Sequence, residues 1–192
     1  RRTKDGQGWT GARYKPGTTR ANAHVVAWSV AAAEFDHLSM DAYMEMRARL
    51  VEAGLAVILY STYSSAPDDF RFRLVLPLTH PIPRDQYGDI WQRMNAALFG
   101  GQNDPQTKDA SRMLYTPAAP PDAVVVAECL PGLALDWERL PAVEAVARAV
   151  AVSAAPGAAV GVSRDVLAFV LDGAEVGIQR SMALRAGRSF LA

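Results

Sequence analysis

The stretch Phe70-Arg71-Phe72-Arg73-Leu74-Val75-Leu76-Pro77-Leu78 alternates aromatic and basic side chains before it turns apolar. A period of two belongs to a β-strand, whose successive side chains point to opposite faces of a sheet. Phe70 and Phe72 therefore require a hydrophobic core on one side, while Arg71 and Arg73 share the other. A second run, Val25 to Asp36, is rich in strand formers and ends in charge. It predicts a strand buried on both faces until its last residues. There Glu34 and Asp36 repeat the spacing with opposite sign, two carboxylates on one face with Phe35 turned into the core.

Around these strands the pattern shifts to helical spacing. Ser39 is placed as the N-cap of a helix running through Met40, Tyr43, Met44, Met46, Arg47 and Leu50 to a stop at Gly54. Leu55 to Ser61 reads as a strand and Ser64 to Asp69 as a turn of Ser, Pro and Asp. Pro83 marks a helix start. Tyr87, Ile90, Trp91, Met94 and Leu98 then fall at helical spacing within Asp85 to Phe99, closed by Gly100-Gly101. A polar loop over 102–111, a short strand from Met113 to Thr116, a Pro-rich turn and a strand from Ala123 to Cys129 follow. This alternation predicts an α/β (α+β) fold with a mixed sheet over residues 23–135. Residues 1–22 hold Gly6, Gly8, Gly11, Pro16 and Gly17 without periodicity and read as an arm. Residues 136–192 are Ala-rich and read as a helical segment whose last piece, Ser163 to Ala192, forms two helices. There is no internal repeat, and no GxxxxGK[ST] to build a Walker-type ATPase site.

Composition narrows the chemistry. The 20 basic and 20 acidic residues cancel, which argues against a domain that coats nucleic acid by bulk charge. The charge is uneven, however: Arg1, Arg2, Lys4, Arg13, Lys15 and Arg20 face only Asp5 in the arm, and an acidic stretch follows. The single cysteine, Cys129, excludes a disulfide framework and a paired-cysteine zinc site. Set in an apolar strand, it reads as a small core residue. A reducing cytoplasm fits. The longest nearly apolar run, Val25 to Ala33, is far short of the roughly 20 residues that span a bilayer, so membrane insertion is not expected. Opening on Arg1, with neither an initiator Met nor an apolar leader, the chain reads as an excised fragment.

Two acids on one face repel unless a cation sits between them, and hard divalent cations such as Mg²⁺ or Mn²⁺ favour oxygen ligands. Glu34 and Asp36 thus read either as metal ligands or as a strand end whose charges meet water. Arg71 and Arg73 read as a phosphate clamp, since the guanidinium fork matches phosphate oxygens, or as solvated side chains on an exposed sheet face, or as ion-pair partners of Asp68 and Asp69. Asp104, in the loop before Lys108, Asp109 and Arg112, is a candidate third ligand with cations beside it, or a turn former. His24, His37 and His80 lack ligand spacing. His37, next to Asp36, reads as a nucleotide contact or an exposed loop residue. No serine lies in a G-x-S-x-G elbow, so covalent catalysis has no candidate.

Taken in order, Ala33-Glu34-Phe35-Asp36, Ser64-Ser65 with Arg71 to Leu78, and Asp104 with Lys108 and Arg112 resemble the archaeo-eukaryotic primase superfamily, the primase-polymerase catalytic domain of phage and plasmid replication proteins. These segments correspond to its acidic pair ending a strand, its S-x-H segment leading into an apolar strand, and its acidic motif followed by basic residues. The sequence departs from that pattern in lacking the histidine, whose place falls to Arg73 or Ser65 according to the alignment. The resemblance implies a core with an RRM-like half and template-directed two-metal nucleotidyl transfer using Mg²⁺ or Mn²⁺. Glu34, Asp36 and Asp104 would be the catalytic metal ligands. Ser64, Ser65, Arg71, Arg73, Lys108, Arg112 and His37 would hold a nucleoside triphosphate. Arg13, Tyr14 and Lys15, with Trp9 and Arg20, would meet a single-stranded DNA template by stacking and charge, the alternative being an untethered flap, and a replicative helicase domain of the same parent chain is a further expected partner. Gly177-Ile178-Gln179-Arg180-Ser181 is similar to the start of the small helical domain that follows these primases. The alternatives are a non-catalytic single-stranded DNA binding module of a replication initiator and a metal-dependent nuclease.

Overall fold

The two patterned runs become the longest strands among the described residues, and they pair with each other. In the computed structural model, which describes residues 6–121, 123 and 125–147, β3 (Val25–Leu38) lies antiparallel to β5 (Phe70–Pro83). The register sets Ala33 opposite Leu74, Glu34 opposite Arg73 and Phe35 opposite Phe72. With β2 (Ala12–Tyr14), β4 (Val57–Ser61) and β7 (Ala127–Leu130) they form a five-stranded sheet of order β2-β3-β5-β4-β7. A small second sheet pairs β1 (Gly8–Trp9) with β6 (Leu114–Tyr115). The α+β class stands. Among the described residues every ladder is antiparallel, and parallel contact is confined to the isolated bridges Leu55–Leu133 and Leu78–Leu135.

One face of the sheet is closed by helices because the period-two pattern puts its aromatics there. Phe35 stacks on Phe72 at 4.6 Å between centroids, Phe99 meets Phe35 edge-on at 5.4 Å, and Tyr43 meets Phe70 and Phe72 edge-on at 4.9 and 5.0 Å. Such geometries are the ones an aromatic quadrupole favours, and each fully buried large side chain stabilises the fold by roughly 1.5–3 kcal/mol. Tyr43 sits on α1 (Met40–Glu52), whose N-cap Ser39 accepts a hydrogen bond from the Ala42 amide at 3.2 Å. Tyr87 opens α2 (Tyr87–Ala97) and stacks on Trp28, whose indole N–H donates to Ala110 O at 2.9 Å. Gly100 and Gly101 follow with φ of 60° and 82°, turning the chain sharply into the polar loop as their position after the helix predicts.

Several boundaries differ from the sequence reading. Gly8–Trp9 and Ala12–Tyr14 are strands, not free arm: a Cβ on Gly11 between them would lie 2.2 Å from Val30 O, so only glycine lets this segment press against β3. Pro83 ends β5 instead of starting a helix, because pairing with β3 resumes after a bulge, Ile82 opposite Trp28 and Pro83 opposite Ala27. Cys129 is exposed, since β7 is an edge strand whose alternate residues face outward. Leu135, Trp137 and Leu140 join the same core as the sheet, and the Trp137 indole donates to His80 O at 3.0 Å. The chain beyond 147, with the paired-helix reading of Ser163 to Ala192 and the Gly177-to-Ser181 motif, and Arg1, Arg2, Lys4 and Asp5, lie outside the described residues. No described helix is long and apolar enough to cross a membrane.

Candidate functional site

The β3–β5 register that stacks Phe35 on Phe72 necessarily places Glu34 beside Arg73 on the opposite face. The Arg73 Nε donates to Glu34 Oε1 at 2.6 Å. Arg112, arriving from the loop before β6, donates Nε and Nη2 to Glu34 Oε2 at 3.0 and 2.8 Å. Both carboxylate oxygens are thereby occupied, and the Glu34 side chain is only 8% exposed. Arg73 Nη1 also donates to Tyr115 O at 2.9 Å, which accepts from the Tyr60 hydroxyl at 3.1 Å, and the Trp9 indole donates to that hydroxyl at 3.3 Å. Burial raises the Tyr60 pKa, opposed by the Trp9 hydrogen bond and the Arg73 charge.

The loop carrying Arg112 is stitched to the same strand. Glu34 N–H donates to Asn103 Oδ1 at 3.1 Å, and Asp104 N–H donates to Glu34 O at 2.8 Å. Buried Asn103 also accepts from the Thr107 hydroxyl at 3.0 Å, while its own amide is held by Asn95 Oδ1. Asp104 caps the short 3-10 turn Pro105–Lys108, its Oδ1 accepting from Gln106 N at 2.9 Å.

Past Phe35 the ladder slips. Phe35 faces Phe72 and Leu38 faces Phe70, so Asp36 and His37 together oppose the single residue Arg71. A bulge of this kind re-aims side chains, and here it puts His37, a residue with a Cβ, at φ 60°, a conformation that carries strain. His37 Nδ1 lies 2.8 Å from Asp69 Oδ1, and Arg71 Nη2 lies 2.7 Å from Asp69 Oδ2. The Arg71 hydrogen bond is the main cause holding the Asp69 carboxyl below its ordinary range. Asp36 stays exposed, with Arg71 Nη1 at 3.9 Å from its Oδ1.

These residues surround one cavity of about 170 Å³, lined by Glu34, Asp36, Ser64, Arg71, Arg73 and Arg112 together with Tyr60, Thr62 and Tyr115. A second, more open cavity of about 370 Å³ is lined by Asp36, Asn103 and Asp104. Asp36 borders both. The fold thus gathers seven of the residues that the sequence singles out on these two cavities and leaves the others aside, His37 among them. Ser65 does not line either cavity: its hydroxyl accepts from Arg71 N at 3.1 Å and shapes the turn. Lys108 rests over the Trp91 ring, 4.8 Å from its centroid. Arg13 pairs with Ala27, far along β3 from Asp36, a separation of roughly 30 Å in an extended strand. Tyr14 packs against the core, Lys15 follows it in an exposed turn, and the Trp9 indole is committed to Tyr60. Asn103, Tyr60 and Tyr115 were not singled out by the sequence; only their nearness to Asp104 or to strand ends marks them.

The donor set does not fit a centre in which Glu34, Asp36 and Asp104 share cations. Glu34 serves as counter-ion to two guanidiniums, and among the described residues no group of three or more His, Cys, Asp or Glu side chains is set to hold a metal ion. What the arrangement can do is present arginine N–H groups, hydroxyls and one exposed carboxylate to a polar ligand. The family model of the VapE N-terminal domain matches residues 1–142. No curated protein and no solved structure matches the chain.

Proposed function

The chain belongs to the VapE N-terminal domain family, a family associated with phage and plasmid replication, and on that premise we propose that it binds the phosphates of a nucleotide or DNA strand at the arginine-lined cavity. The observation that carries this reading is the convergence of Arg71, Arg73 and Arg112 with the hydroxyls of Thr62 and Ser64 on one cavity. Guanidinium forks in a partly enclosed site form short, charge-assisted bonds to phosphate oxygens and hold them in a defined orientation. Titration of a labelled deoxynucleoside triphosphate and of a single-stranded oligonucleotide tests it. Binding weakened by Arg71→Ala is expected, with the salt slope reduced by about one for each lost DNA phosphate contact. No binding by the unaltered chain, or binding indifferent to the arginines, refutes it.

A second reading, primase-polymerase activity, draws support from the position of Asp36 between the arginine cavity and the cavity that holds Asp104. Its test is template-dependent incorporation in Mg²⁺ or Mn²⁺, abolished by Asp36→Ala. Binding without incorporation leaves the binding module, and release of nucleotides from an intact strand identifies a nuclease.

A further inference from the structure

We propose that Glu34 is the internal counter-ion of the phosphate seat: it positions Arg73 and Arg112 in the absence of ligand and competes with the ligand's own negative charge for them. This rests on the phosphate-binding reading and gives Glu34 a role opposite in sign to that of a metal ligand. A metal ligand helps a triphosphate to bind; a resident anion hinders it.

Three features of the site support the assignment. First, each carboxylate oxygen has its own guanidinium, Oε1 with Arg73 at 2.6 Å and Oε2 with Arg112 at 2.8 Å, so Glu34 offers the arginine pair what two oxygens of a phosphate would offer. Second, the Glu34 backbone is fixed on both sides, through Asn103 Oδ1 and the Asp104 amide. Only the side chain can yield its place, and the carboxylate remains close by when it does. Third, the arginines have other anchors: Arg73 also donates to Tyr115 O, and Arg112 Nη1 donates to Gln106 Oε1 at 2.9 Å. They keep their places near the cavity when the carboxylate loses its charge. The groups lining the cavity carry three positive charges, from Arg71, Arg73 and Arg112, against Glu34 and Asp36. Loss of the Glu34 charge therefore doubles the net positive charge at the cavity.

The experiment is calorimetric titration of the full chain with inorganic tripolyphosphate in EDTA, for the unaltered protein, Glu34→Gln and Glu34→Asp. Glu34→Gln removes the charge with little change of shape, and tightening by about tenfold is expected from the loss of one like charge at contact distance in a partly screened site. Glu34→Asp keeps the charge but is one methylene too short to satisfy both arginines, and its affinity is expected between the two. Equal or weaker binding by Glu34→Gln overturns the proposal. Should that variant fail to fold, Glu34→Asp decides, and affinity at or below that of the unaltered chain overturns it. If the unaltered chain binds through Arg71 and Arg73 without tightening in the variants, the counter-ion role alone falls; if none of the three proteins binds, the phosphate reading falls with it.

Discussion

Replacing Arg73 by Ala removes the shorter of the two bridges to a buried carboxylate. The Arg73 side chain is 13% exposed and that of Glu34 8%, so neither charge has much water to fall back on. Breaking a buried pair by deleting one partner costs about 3–5 kcal/mol. Two compensations push the value to the low end of that range. Arg112 still holds Glu34 Oε2, and the Tyr60 hydroxyl still donates to Tyr115 O. The expectation is a loss of about 3 kcal/mol, which at about 2–4 °C per kcal/mol for a chain of this length lowers the melting midpoint by about 6–12 °C. Urea denaturation followed by circular dichroism gives the same quantity independently, with an unchanged m-value marking a native-state effect. The double variant Glu34→Leu/Arg73→Met is expected to recover part of the loss, because apolar side chains of similar volume remove the desolvation cost of both charges while Arg112, left without its carboxylate, is exposed enough to turn to water. A loss below about 1 kcal/mol in Arg73→Ala, or a double variant as unstable as the sum of its singles, refutes the view of Glu34 as a buried, doubly bridged anion.

Three further outcomes follow from the fold itself. Ser39→Ala deletes the α1 cap and is expected to cost about 1 kcal/mol in the same denaturation assay. Gly132→Ala would set a Cβ within 2.4 Å of Gly54 O and the Leu55 carbonyl carbon and 2.6 Å of Ala56 N, all backbone, so a loss of about 1–3 kcal/mol from overpacking is expected. Burial is the leading cause raising Tyr43, Tyr60 and Tyr87 above the ordinary phenol value of 10.0. Because these groups ionise more readily in the unfolded chain, the stability they contribute is complete below that pH and is lost as the pH rises above it. Stability measured across the alkaline range, alongside phenolate absorbance, checks this; phenolate formation without unfolding counts against it.

The parts of the fold legible in the sequence are those where a pattern runs long enough to have a period. Phe70 to Leu76 carries enough alternations to fix both faces of β5, and Ser39 and Gly100-Gly101 announce themselves by backbone chemistry. Gly8–Trp9 and Ala12–Tyr14 have two and three residues, too few for a period to appear, and the glycines in and around them suggest a loop although Gly11 is there for close packing. The site was half legible for the same reason. Spacing on one strand says that Glu34 and Asp36 share a face and that Arg71 and Arg73 share a face, but whether these are the same face depends on register. Register here is set by bulges at Trp28/Val30 and Phe35/Leu38, which no alternation reveals. Arg112 is 78 residues from Glu34, so its arrival at the free carboxylate oxygen is a property of the loop path that Asn103 holds in place.

That pairing redistributes the charge on which function rests. Glu34 is matched to Arg73 and Arg112, and Asp69 is matched to Arg71. Asp36 keeps only a 3.9 Å approach to Arg71 and an exposed side chain, so it is the carboxylate at the cavity with capacity to spare. Asp36→Asn therefore separates the two functional readings. In EDTA it removes a negative charge beside the arginines, and tripolyphosphate is expected to bind more tightly, as in Glu34→Gln but by less because solvent already screens this exposed group. In Mg²⁺ the readings part company. A pure binding module keeps the tighter affinity, whereas a nucleotidyl-transfer site loses affinity for a deoxynucleoside triphosphate on the same substitution. Affinity in EDTA that falls instead of rising would refute the assignment of Asp36 as an uncompensated charge beside the phosphate seat.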